Sequence, residues 1–140
     1  LPRRYAYDFL LFCTRNPKPC PLLEVTDVGS PHPRWTAPDA DLRTDIPSYW
    51  IYRDGKRGEA VADVRGFWSR DFVSFLMGCS FTFDSLLVRA GVPVRHLEEG
   101  KNVPMYRTAI PARPAGRFQA NLVVSMRPMT TTNVKMTNAG

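Results

Sequence analysis

Histidine is scarce in this 140-residue sequence, with His32 and His96 the only two. Pro31 and Pro33 flank the first, and no HExxH-type spacing occurs, so the ligands for a zinc centre are lacking and no metal is expected. Cysteine is almost as rare. Cys13, Cys20 and Cys79 are odd in number, and their spacing fits neither a disulfide framework nor the paired ligands of a zinc ribbon. Reduced thiols are the simplest reading, which suits the cytoplasm, or the mitochondrial matrix in a eukaryote. The apolar run "FLLFC", residues 9–13, is far too short to cross a bilayer, and no basic and hydrophobic leader precedes it, so no membrane partner is expected. Phosphate-loop and dinucleotide fingerprints are missing as well, and no cofactor is expected. The first residue is leucine instead of methionine, which suggests processing, trimming or a piece of a longer chain.

What is present fits one folded domain. Apolar residues make up 44% and aromatics 11%, against the composition of a disordered basic tail. The net charge of +6 arises from 19 basic and 13 acidic residues with no polybasic run. Residues 71–140 carry 8 basic and 4 acidic side chains, against 11 and 9 in residues 1–70, so an anion is better held in the second half. Arg53, Lys56, Arg57, Arg113 and Arg117 form a diluted patch beside Tyr49, Trp50 and Tyr52. Interleaved Asp54 and Glu59 argue against a nucleic-acid partner.

Along the chain, "RRYAYDFLLFC" satisfies neither helical nor strand period cleanly, and "NPKPCP" must end it. Residues 22–47, with Pro31, Pro33, Pro38 and Pro47, read mostly as ordered loop wrapping other structure or serving a site. "SYWIYRDGKRGEAVADV" reads as a β-hairpin around Asp54, Gly55 and Gly58, with a connection longer than two residues. Ser69 is placed to cap a helix over Arg70–Met77 that Gly78 stops. Ser80 or Thr82 caps a second helix to Ala90, with Phe83, Leu86, Leu87 and Ala90 as its apolar face and Gly91 as its C-terminal cap. "VPVRHL" reads as a short strand, "NLVVSMR" as another, and residues 130–140 as a polar tail that frays. The fold class expected is mixed α/β, with α+β as the variant: short helices, a central hairpin and long ordered loops.

Two groups carry chemistry. Gly78, Cys79 and Ser80 lie between the two predicted helices, where backbone amides and the Ser80 hydroxyl form a weak anion site and Cys79 is a reactive thiol if exposed. A tight bend with a buried cysteine is the bland alternative. The second group is Arg95, His96, Glu98 and Glu99, followed by Asn102, Tyr106, Arg107 and Thr108. Glutamates and histidine supply acid and base, and arginine offers a fork to a carboxylate. Structural ion pairs and a histidine at a strand end are the alternative there.

The phrases "YAYDFLLFCTRNPKPCPLLEVTDVG", "DLRTDIPSYWIYRDG", "FLMGCSFTFDSLL", "GVPVRHLEEGKNVPMYRT", "PAGRF" and "LVVSMRPM" resemble the hydro-lyase family related to the mitochondrial D-glutamate cyclase. The resemblance runs from residue 1 to about 129, taken as one partial domain. It implies an α/β carbon–oxygen lyase, with cyclisation of D-glutamate to 5-oxo-D-proline and water as the relative's reaction. It also implies a larger two-part fold, since members are about twice this length. For such a reaction, chemistry and proximity in sequence make Glu98 the proton donor, His96 or Glu99 the base, Arg95 or Arg107 the carboxylate clamp, and the Cys79 and Ser80 region the oxyanion or carboxylate contact. Asn102, Tyr106 and Thr108 complete the substrate contacts. The partner is then a small carboxylate or amino acid, with homo-oligomerisation as a way to complete the pocket. The rival reading is a non-catalytic carboxylate-binding or structural protein derived from a truncated enzyme.

Overall fold

The computed structural model describes residues 1–138. Helix α1, Arg3–Arg15, starts after Pro2, whose φ of −57° suits a helix entry. It stops at Asn16, because the residue before Pro17 is pushed out of helical backbone. Its inner side buries Phe12 and Cys13. Phe9 meets Phe75 edge-on at 4.8 Å and tilts against Phe118 at 5.0 Å. Around them Phe12, Ala112 and Ala115 form one core, with Leu11, Cys20 and Leu122 packed on it. Burying Phe12 alone is worth roughly 1.5–3 kcal/mol. Asn16 ties this core to the distant chain: its amide donates to the carbonyls of Phe12 and Arg113, both at 2.8 Å, and its side-chain oxygen accepts from the Arg113 amide at 2.8 Å.

Six strands form three separate antiparallel pairs among the described residues. Strand β1, Leu22–Val25, pairs with β4, Phe75–Met77. Strands β2, Tyr49–Arg53, and β3, Lys56–Val61, form the predicted hairpin. Its turn is tighter than the sequence suggested. Asp54 and Gly55 alone connect the strands, at φ 49° and 75°, the pair of positive values a two-residue hairpin demands. The extra residues lie instead in a bulge, where Gly58 and Glu59 stand opposite Ile51. Strands β5, Met105–Pro111, and β6, Asn121–Ser125, form the third pair. This mixed arrangement of short helices, a hairpin and ordered loops is the expected α/β class.

Several local readings give way to tertiary contacts. Residues 70–77 make only one turn, closed by the Phe72 amide on the Ser69 carbonyl at 3.0 Å, and then become β4. Pairing decides this: the Asp71 carbonyl accepts from Arg3, the Val73 amide donates to Leu1, and β1 takes up the rest. Helix α2, Phe81–Arg89, forms as expected and ends at Gly91, φ 71°. Its buried residues, however, are Asp84 and Leu87, while Phe83 and Leu86 are exposed. Ser80 occupies the cap position without a capping side-chain bond. "VPVRHL" is not a strand: Val94 is extended, and Arg95–Glu98 then coil into a single helical turn, α3. Leu87, Val92 and Val94 form the second core, with Met129 against it. Within the polar tail of residues 130–140, Thr131–Asn138 form α4, and residues 139–140 lie outside the described residues.

Candidate functional site

The helical turn of α3 decides the site. Consecutive residues are about 100° apart on a helix, so Arg95 stays exposed while His96 turns inward and is 6% exposed. There its Nε2 lies 3.2 Å from Oδ2 of Asp84, itself buried on α2. The other carboxylate oxygen accepts from Nε of Arg127, which follows β6. Arg127 also donates to Ser125 Oγ at 2.8 Å and to the Ser80 carbonyl at 3.1 Å. The hydrogen bond from Arg127, and after it the one from His96, hold the Asp84 carboxyl below its usual range despite burial. An ionised Asp84 only accepts, so Nε2 of His96 is the donor in this bond.

Nδ1 makes no hydrogen bond to another described residue, and no fully enclosed side-chain nitrogen or oxygen among them lacks a partner. It is therefore not fully enclosed, and His96 lines a cavity of about 380 Å³ together with Arg95, Glu99, Lys101, Asn102, Pro104, Met126 and Pro128. Glu99 joins the two cations of the wall, accepting from Arg95 at 2.7 Å and from Lys101 at 2.9 Å. These two bonds, Arg95's first, hold its carboxyl below the usual range, so it is a carboxylate and not a proton donor.

Of the residues singled out in the sequence, Arg95, His96, Glu99 and Asn102 come together in this wall. Ser80 joins from behind, through Arg127 and a 3.5 Å contact with Ser125 Oγ. Cys79 is exposed beside it, outside the lining. Glu98 is exposed on α3 and also outside the lining. Tyr106 and Arg107 stand exposed on β5, opposite Val124 and Val123. Thr108 serves the backbone: its hydroxyl donates to Leu122 at 2.9 Å and accepts from Ile110 at 3.1 Å, filling the irregularity between the strands. Lys101, Asp84 and Arg127 were not singled out. The one available signal was a carboxylate, Asp84, at helical spacing from Leu87.

A second buried carboxylate lies elsewhere. Glu24 of β1 accepts from the amide and hydroxyl of Thr36 at 2.8 and 2.7 Å, and from the amide of Arg34 at 2.5 Å. Burial pushes its carboxyl up, but these bonds outweigh it and bring it to about 2. Its role is to pin the long loop. Another cavity, about 660 Å³, lies between residue 1 and the hairpin and is walled by aromatic side chains including Trp50, Phe67 and Trp68. Among the described residues no three potential metal ligands cluster, and no helix is long and apolar enough to cross a membrane.

Residues 73–139, which carry Asp84, His96 and Arg127, match the family model described as D-glutamate cyclase. The chain is 63% identical over 129 residues to a protein of Natranaerobius thermophilus named "Putative hydro-lyase", covering 92% of this chain and 49% of that one. Proteins of the same name from Stutzerimonas stutzeri and Saccharopolyspora erythraea are 60% and 58% identical, over 94% and 99% of this chain and 50% and 55% of their own. The chain thus spans about half the length of the curated relatives it matches.

Proposed function

We propose that this chain, similar over nearly all its length to hydro-lyases and matched in its second half by the D-glutamate cyclase family, forms the small-carboxylate site of a carbon–oxygen lyase. The finer reading is cyclisation of D-glutamate to 5-oxo-D-proline. The observation that carries it is the buried Asp84–His96 pair, whose histidine lines a cavity walled by Arg95 and Lys101.

The chemistry requires the amine to attack the distal carboxyl carbon, forming a C–N bond while a C–O bond breaks and water leaves. The nitrogen gives up two protons and the leaving oxygen gains two, so one imidazole that takes each proton and returns it balances the reaction. His96 is that group. Asp84 fixes its tautomer and steadies the imidazolium formed in transit, and Arg127 keeps Asp84 ionised. Arg95 and Lys101 hold the substrate carboxylates and bring amine and carboxyl into reach, while Asn102 is a further hydrogen-bonding group. Glu99 spaces the two cations.

The test is a product assay with D-glutamate, L-glutamate and a panel of small hydroxy acids, using this chain and the Natranaerobius relative. Formation of 5-oxoproline from D-glutamate is expected. Dehydration of a hydroxy acid with no 5-oxoproline would keep the lyase class and replace the substrate. Inertness of the folded relative towards the whole panel would count against the reading.

A further inference from the structure

The molecule exposes far more surface than its mass warrants. A compact monomer of 15.9 kDa has about 7,400 Å² of accessible surface. This chain has 10401 Å². The excess, about 3,000 Å², is several times the roughly 800 Å² each partner contributes to a standard protein–protein contact. It matches a cover that completes a core.

The excess is apolar where the strands are open. Strand β6 reads Leu-Val-Val, the run of a strand buried on both faces. Its neighbours Val123 and Val124 point to opposite faces, yet are 47% and 44% exposed. Met105 and Ile110 of the paired β5 are exposed as well. The ribbon has two strands only, and such a pair is marginal in water without a further strand or a helix against it.

We propose that the β5–β6 ribbon is the docking edge for a polypeptide equivalent to the part of the relatives lying outside the match, which extends and covers this sheet. Two facts select that occupant. Relatives near 60% identity carry about as many residues again as this chain matches. The exposed apolar residues also lie on separate elements, including Trp50 on β2 and Leu86 on α2, so the cover must wrap the molecule, which a single two-fold contact with a second copy does not do. The docking has a consequence for the cavity. Pro104 immediately precedes β5 and Met126 immediately follows β6, and both line it, so whatever covers the ribbon stands at the cavity mouth. The inference holds whether or not the cavity turns over glutamate.

The experiment co-expresses this chain with the unmatched part of the Natranaerobius relative, and follows sedimentation and amide hydrogen exchange. A one-to-one complex is expected, with exchange across β5 and β6 slowed at least tenfold. Val124→Lys should abolish it while leaving the circular dichroism of the chain unchanged, and Val124→Ile should preserve it. Failure of two folded pieces to associate would overturn the proposal, as would protection confined to other elements or association indifferent to Val124→Lys. The isolated chain gives an independent check. It should be a monomer with fast exchange throughout the ribbon. Slow exchange in that monomer, or self-dimerisation that protects the ribbon equally, would refute the assigned occupant.

Discussion

Replacing Asp84 by asparagine removes one charge from the centre of the buried network while keeping its shape. The Arg127 side chain is 10% exposed and would lose its counter-ion, and His96, at 6%, would lose the acceptor that orients it. Breaking a buried pair from one side costs about 3–5 kcal/mol. The lower end applies, because the asparagine oxygen still accepts one bond from Arg127. A loss of about 3 kcal/mol is a large part of the roughly 5–15 kcal/mol that holds a domain. With a slope near 2 kcal/mol per molar, the urea midpoint should fall by about 1.5 M. The pH dependence has a definite sign. The folded-state carboxyl lies below its usual 3.8, so its contribution is present above that value and is lost as pH falls through the depressed one. Asp84→Asn should therefore narrow the stability difference from wild type on acidification below pH 3.8. Urea titrations at neutral and acid pH measure this, and nitrogen NMR of His96 reads the tautomer, expected as Nε2–H in the parent and mixed in the variant. A loss under about 1 kcal/mol together with an unchanged tautomer would refute the network as described.

Glu24→Gln should flatten a separate acid transition, since the stability Glu24 lends is present above pH 4.5 and disappears towards about 2; acid titration followed by tryptophan fluorescence measures it. Gly29→Ala should destabilise by about 2 kcal/mol or more in urea titration. The position has φ 81°, and a Cβ there would stand 2.8 Å from the Arg70 carbonyl oxygen. In thiol titration Cys79 should react first in the native protein and Cys13 only on unfolding, because Cys79 is exposed and Cys13 buried.

The parts of the fold legible in sequence are those that depend on near neighbours. Asp54-Gly55 announces its turn because few other residues accept two successive positive φ values. Gly91 likewise marks the end of α2. Residues 70–77 read as a helix because their competitor, β1, lies some fifty residues away, and a local window cannot contain it. The site divides in the same way. Arg95, His96, Glu99 and Asn102 stand out as a polar cluster within one short segment. Asp84 and Arg127 are 43 positions apart, and each alone resembles an ordinary surface charge. The misread strand at "VPVRHL" matters most, since only the helical turn sends His96 inwards and leaves Arg95 on the wall.

The most direct test of the proposed site is the effect of His96→Gln and Lys101→Met on 5-oxoproline formation from D-glutamate, in this chain and at the matched positions of the Natranaerobius relative. Loss of turnover by a factor of at least about 100 with His96→Gln, and a raised KM with Lys101→Met, both in folded protein, is the predicted result. Turnover that survives His96→Gln unchanged would contradict the account, because His96 is the lining group to which both proton transfers are assigned.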